Sequence, residues 1–96
     1  LLRREFPDMN RQFTGQFSGL FADIDRKCRN GELTPKVLDL RGLLDAIRLI
    51  RAGLPPRSAL DMGITNKTFD DYEQSLVRDI ISSRISPKAD RNTIFN

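Results

Sequence analysis

Apolar residues recur at spacings of three and four over much of the chain, which is the period of one helix face. The first such stretch lies between Asp8 and Asn30, and Asn30-Gly31 supplies a left-handed stop at its end. We expect a long helix here, weakened by Gly15 and Gly19, each of which costs up to ~1 kcal/mol relative to Ala. Its apolar stripe consists of Phe13, Phe17, Leu20, Phe21, Ile24 and Cys28.

A second predicted helix is bounded by Asp39, a good N-cap residue, and by Gly53, a good residue for the position after a helix end. Thr34-Pro35 is an alternative start several residues earlier. The charged residues opposite the apolar stripe are spaced to form a solvated ladder, in which each pair contributes roughly a few tenths of a kcal/mol. The stripe is Leu40, Leu43, Leu44, Ile47 and Ile50, and the ladder is Arg41, Asp45, Arg48 and Arg51.

A short third helix is predicted after the second, with Pro55 or Pro56 in its first turn and Gly63 at its end. Its apolar contacts come from Ala59, Leu60 and Met62. The segment from Thr65 to Thr68 then connects it to the next helix.

The fourth predicted helix has Thr68 as its N-cap and carboxylates in its first turn, Asp70 and Asp71, where they complement the helix dipole. It runs to about Arg84. Its apolar stripe is Phe69, Tyr72, Leu76, Ile80 and Ile81.

Residues from Ser86 onward show no periodicity. We therefore expect a single domain over residues 1–85 and a flexible tail over 86–96, either loose in solution or docked on another part of a larger protein. No segment alternates apolar and polar residues with the period of a strand. The predicted fold class is all-α, a compact bundle of about four helices.

Length and composition fit one small globular domain. The chain has 96 residues, of which 39% are hydrophobic and 30% charged. Its apolar runs are too short to cross a membrane, and Leu1-Leu2-Arg3-Arg4 lacks the apolar core of a signal peptide. We expect a cytoplasmic location. The start at Leu1 rather than Met suggests a piece of a longer polypeptide.

The sequence contains no complete active site. It has no His and a single Cys, Cys28, which excludes an intramolecular disulfide, a zinc site of the usual kind and Ser-His-Asp or Cys-His catalysis within the chain. Cys28 continues an apolar stripe and is interpreted as a core residue. The six glycines never form a phosphate-binding loop, and Asp70-Asp71 is explained by helix capping. On its own the chain is not expected to be an enzyme.

The most informative stretch runs from Leu38 to Leu60 and includes Asp39, Arg41, Gly53, Pro56-Arg57 and Ala59. It resembles the C-terminal lid of AAA+ ATPases of the MoxR type, closest to the CbbQ/NorQ branch and the related dynein-like modules. In that family a Ser- or Thr-led turn precedes an Arg that opens a helix. The helix ends at Gly about twelve residues later, and a Pro-Arg-x-Ala element starts the next one.

The resemblance covers roughly residues 33 to 85 and extends to the start of the fourth predicted helix, Thr68-Phe69-Asp70-Asp71. The sequence departs from the family pattern at Asp39-Leu40, where the family often has Ser-Thr. This departure places a carboxylate near Arg41.

The resemblance implies that Arg41 is the sensor 2 arginine, which reaches the γ-phosphate of ATP held on a preceding α/β domain. Lys36 is the fallback phosphate contact if the helix starts at Thr34-Pro35. For Arg48, Arg51 and Arg57 a solvated role is favoured over contact with a neighbouring subunit or nucleotide. The parent protein would use ATP and Mg, whereas this segment alone would bind neither.

The resemblance also implies partners. They are the preceding nucleotide-binding domain, neighbouring subunits of a ring, and a client protein that is remodelled or activated, often through a von Willebrand A domain protein. No membrane partner is implied.

Two rival functions remain open at this point. A net charge of +3, from 16 basic and 13 acidic residues, permits a helix-turn-helix nucleic-acid module. Interleaved carboxylates such as Asp45 and Asp61 make that unfavourable. The second rival is a partner-binding bundle whose Phe-rich first helix docks a protein. The basic residues that would contact phosphates in the first rival are Arg41, Arg48, Arg51, Arg57 and Lys67.

Overall fold

Helices account for the regular structure in residues 2–95, the part of the chain that the computed structural model describes. The prediction of an all-α fold is confirmed, with six α-helices and two short 3-10 turns in place of about four helices. The molecule measures 37 × 22 × 20 Å. The helices are α1 (Leu2–Glu5), α2 (Arg11–Arg29), α3 (Leu40–Arg51), α4 (Pro56–Gly63), α5 (Asp71–Arg84) and α6 (Arg91–Ile94), and the 3-10 turns are Pro35–Val37 and Thr65–Lys67.

Helices α2 and α5 pack together along their apolar stripes. Each has a side-chain cap. The side-chain Oδ1 of Asn10 accepts from the N–H of Gln12, and the Asp70 carboxylate accepts from the N–H groups of Tyr72 and Glu73 in the first turn of α5. Gly31, with φ +80°, lies just beyond the end of α2, as the Asn30-Gly31 stop predicts. The residues buried along the two stripes are Phe17, Leu20 and Ile24 of α2 and Val77, Ile80 and Ile81 of α5.

An ion pair fastens the end of α5 to the middle of α2. Arg84 Nε lies 2.8 Å from Asp23 Oδ2, and its Nη2 lies 3.3 Å from Oδ1. The Arg84 guanidinium passes over Gly19, where a Cβ would stand only 2.6 Å from Arg84 Cζ. The absence of a side chain at Gly19 therefore makes room for the pair, and Arg84 holds the pKa of Asp23 below its ordinary value.

Helices α3 and α4 approach so closely that their backbones touch. A Cβ at Gly42 would collide with the backbone carbonyl of Gly63, and a Cβ at Gly63 would collide with that of Gly42. The helix interior tolerates Gly42, despite its cost relative to Ala, because this contact requires it. The two glycines thus set how α3 crosses α4.

Within residues 2–95, segments near both ends pack into the core, whereas the sequence predicts a domain over residues 1–85 followed by a flexible tail over 86–96. Ile94 and Phe95 are buried, as are Leu2 and Phe6. The N–H of Asn10 donates to the carbonyl oxygen of Ile94 at 2.7 Å, and Met9 forms an antiparallel bridge with Phe95. We call this junction of residues 2–9 with 91–95 the terminal clasp.

Four residues assigned to apolar stripes face solvent instead. Tyr72 (68% exposed) lies five residues before the buried Val77, or about 140° around the helix, and Met62 (60%) lies about 200° from Leu60. Phe69 (96%) precedes α5 altogether, because Asp70 rather than Thr68 is the N-cap. Leu40 (38%) opens α3, where little covers it.

Cys28 lies at the edge of the core. Cys28 is half-buried against the core and its thiol contacts the Thr34 carbonyl oxygen at 3.5 Å, and burial raises its pKa. Within residues 2–95, no helix has the length and apolarity needed to cross a lipid bilayer.

We expect Ile47→Ala to lower the free energy of unfolding by ~2–5 kcal/mol, because Ile47 is fully buried and the truncation leaves a cavity. Leu44→Ala, at a half-buried position, serves as the comparison and should cost less. Urea titration monitored by circular dichroism measures both. A loss below about half a kcal/mol for Ile47→Ala would contradict its place in the core.

Gly42→Ala should destabilise the protein even though Ala favours helices, because the new Cβ meets the Gly63 carbonyl. Gly15→Ala is the matched control: nothing lies within 4 Å of a Cβ there, so it should stabilise α2 by up to ~1 kcal/mol. If the backbone contact constrains α3, urea titration should show a lower free energy of unfolding for Gly42→Ala and a higher one for Gly15→Ala. The same sign for both would refute that constraint.

Candidate functional site

Arg41, the predicted sensor 2 residue, lies in the first turn of α3 with its side chain exposed. Among residues 2–95, no carboxylate comes within 4.0 Å of its guanidinium. The ladder partner Asp45 pairs with Arg48 instead, at 2.9 Å. Arg41 is therefore a cation available to an external anion.

Asp39, the departure from the family pattern, is engaged by other groups. Its Oδ2 lies 3.3 Å from Lys67 Nζ, and the carboxylate rests against the first turn of α3 without completing a capping hydrogen bond. The N–H dipole of Gly42, which lies close to the carboxylate, does most to hold the pKa of Asp39 below its ordinary value; Lys67 lowers this pKa further, while burial opposes both effects. The negative charge beside Arg41 is thus compensated by Lys67.

Lys36 lies in the 3-10 turn Pro35–Val37, and its side chain is exposed. The alternative start at Thr34-Pro35 opens this separate turn, not α3, so the premise of the fallback contact is wrong. The turn packs beside the second 3-10 turn, Thr65–Lys67. A hydrogen bond from the Thr34 N–H to the Glu73 carboxylate ties it to α5.

The two 3-10 turns contact each other, and the Lys67–Asp39 pair joins the second turn to the start of α3. We call the charged residues of these adjoining elements the α3 entry face: Lys36, Asp39, Arg41 and Lys67. It carries three cations and one carboxylate. The Gly42–Gly63 contact adjoins it, since Gly42 follows Arg41 in the chain. The face therefore combines exposed positive charge with a rigid backbone, an arrangement suited to binding a phosphate group.

Arg48 and Arg51 have a structural role. The Arg48 guanidinium pairs with Glu5 at 3.4 Å, and that of Arg51 lies 5.1 Å from the centre of the Phe6 ring and 6.0 Å from that of Phe95. These cation–π contacts cover the terminal clasp. Both arginines are therefore engaged by the terminal clasp and are not part of the α3 entry face.

Arg57 opens α4 at the end opposite Gly63 and donates a hydrogen bond to Ser82 Oγ at 2.8 Å. It does not join the α3 entry face. No group of three or more Asp, Glu or Cys side chains within residues 2–95 is placed to hold a metal ion.

The sequence analysis gives Gly42 no role, treats Gly63 only as a helix end, and names Lys67 only as a phosphate contact of the helix-turn-helix rival. A glycine inside an otherwise well-formed helix was the available signal for the first, because it marks a position where another backbone approaches. Nothing local signals Lys67, whose partner Asp39 is distant in the sequence.

Comparison with known proteins finds a relative that is much longer than this chain. No protein-family model matches the chain. No solved structure matches it either. Over 65 residues it is 35% identical to YojN of Bacillus subtilis (strain 168), an uncharacterized protein. The match covers 68% of this chain and 21% of YojN, so the chain spans about a fifth of the length of the relative.

We expect stability to fall in acid partly through Asp39. Because the folded protein lowers the pKa of Asp39 below its ordinary 3.8, the contribution is complete above about pH 5 and is lost as the pH falls from about 4 through the lowered pKa. Urea titrations at pH 7 and pH 3 should differ less for Asp39→Asn than for the unaltered chain. Lys67→Met should also reduce the difference in stability between pH 7 and pH 3, but by less than Asp39→Asn. An unchanged difference in Asp39→Asn would contradict the assignment.

Proposed function

We propose that this chain is the C-terminal helical lid of a MoxR-type AAA+ ATPase, close to the CbbQ/NorQ branch. In this role it couples ATP binding and hydrolysis to remodelling or activation of a client protein. The observation that carries the proposal is Arg41, exposed in the first turn of α3 and without a carboxylate partner in residues 2–95.

The α3 entry face fits the γ-phosphate of ATP. A guanidinium donates charge-assisted, often paired hydrogen bonds to phosphate oxygens, and Lys36 adds a second exposed cation on the same face. Lys67 compensates Asp39, which would otherwise repel the phosphate. ATP supplies the phosphoryl group whose transfer to water drives the cycle, while Mg is assigned to the preceding α/β domain.

A lid transmits a change at the phosphate only if it moves as one body. The Gly42–Gly63 contact, the Arg84–Asp23 pair and the terminal clasp join its helices into such a unit. When hydrolysis removes the partner of Arg41, the angle between lid and nucleotide domain is free to change. In a cytoplasmic ring this rotation would act on neighbouring subunits and on a client, in the family's manner through a von Willebrand A domain protein.

The similarity to YojN supports the proposal in one respect. About four-fifths of that protein lies outside the matched segment, so a related sequence occurs within a much longer chain. A lid requires such a context, because the nucleotide is held by another domain.

A partner-binding module is the second candidate, favoured by the exposed aromatic residues Phe69 and Tyr72 beside the N-terminus of α5. The helix-turn-helix alternative is weakened by the structure, since several of its basic residues are occupied. Arg48 and Arg51 hold the terminal clasp, and Lys67 pairs with Asp39.

The deciding experiment measures ATP hydrolysis by the longer polypeptide with and without Arg41→Ala. We expect kcat to fall roughly 10²-fold, as when one donor to a developing charge is removed, with ATP still bound and the ring still assembled. Arg29→Ala, an exposed arginine on α2 paired with Asp25, is the matched control and should retain activity. Unchanged turnover in Arg41→Ala, or a polypeptide without a nucleotide-binding domain, would refute the lid.

A further inference from the structure

A groove lies between the first turn of α4, the C-terminal half of α5 and residues 85–89, and we call it the α4–α5 groove. Its volume is about 230 Å³, room for one or two side chains. Leu60, Ile81 and Ile85 form its apolar floor, and Pro87 and Ala89 line its other side. A concave apolar surface of this kind is where a ligand or a peptide side chain can be buried.

Positive charge borders this groove. Arg57 lines it and also lines an adjoining depression of about 50 Å³, which Asp61 and Arg78 complete. Asp61 is paired with Arg78 at 3.5 Å, and Arg57 has no ion-pair partner in residues 2–95. The N–H groups of Arg57 beyond its bond to Ser82 thus remain for an acceptor outside this part of the chain.

The backbone at this end of α4 adds little to anion binding. Pro55 and Pro56 lack N–H groups, so the start of the helix offers fewer donors than usual. The Arg57 guanidinium is therefore the group that would select an anion here. It stands at the opposite end of α4 from Gly63 and the α3 entry face.

We propose that the α4–α5 groove binds an acidic, apolar peptide segment of a partner protein, with an aliphatic side chain on the floor and a neighbouring carboxylate on Arg57. An anion without an apolar part would leave the floor empty, and a basic segment would meet Arg57 and Arg78. The proposal does not depend on the lid function, because it uses neither Arg41 nor nucleotide.

The test is fluorescence polarisation of the full chain with three labelled synthetic peptides: alternating Glu and Leu, the same peptide with Lys for Glu, and the same peptide with Ser for Leu. We expect the Glu/Leu peptide to bind at least tenfold more tightly than either analogue. Arg57→Ala should weaken its binding about tenfold, and Arg29→Ala less than twofold. Circular dichroism verifies that each variant is folded.

Charge reversal makes the assignment specific, since Arg57→Glu should shift the preference toward the Lys/Leu peptide. When the Glu/Leu peptide is added to the isotope-labelled chain, the amide chemical shifts around Ile85 and Ala89 should change. Equal binding of all three peptides, binding that survives both Arg57 substitutions, or no binding at about 1 mM peptide would each overturn the proposal.

Discussion

The contact between the backbones of Gly42 and Gly63 determines how the functional parts of this molecule are arranged. It brings α3 and α4 closer than any side chain would permit, and thereby sets the direction in which α3 presents Arg41. It also fixes the opposite end of α4, where Arg57 borders the α4–α5 groove. Two candidate binding regions thus share one rigid helix pair, one at each end of α4.

The helices with strong apolar periodicity were predicted well from the sequence. Helices α2 to α5 begin and end within a few residues of their predicted bounds, because glycine and proline stops and aspartate caps act locally. The terminal clasp was not predicted. Four-residue helices are too short to show a period, and Phe6 and Phe95 are brought together only by the tertiary fold, at 6.2 Å between ring centres.

In the candidate site too, local features were predicted from the sequence and long-range contacts were not. The position of Arg41 in a first helical turn follows from local sequence, and the structure agrees. The partner of Asp39 does not follow from local sequence, because two helices, α3 and α4, separate it from Lys67 along the chain. Periodicity also assigned Phe69 and Tyr72 to the core, since it records spacing but not where the covering elements stop. Their exposure depends on Asp70 taking the cap and on no other helix of residues 2–95 extending over the start of α5.

The terminal clasp has a geometric consequence. Residues 2–9 and 91–95 lie side by side, joined by the Met9–Phe95 bridge, and Arg91 Nε donates to the carbonyl oxygen of Arg51 at 2.6 Å. The two ends of the described segment therefore lie close together, as is common for domains that are inserted into longer chains. Neighbouring ends of this kind allow a bundle to stand within a longer polypeptide without separating the flanking segments by its own length.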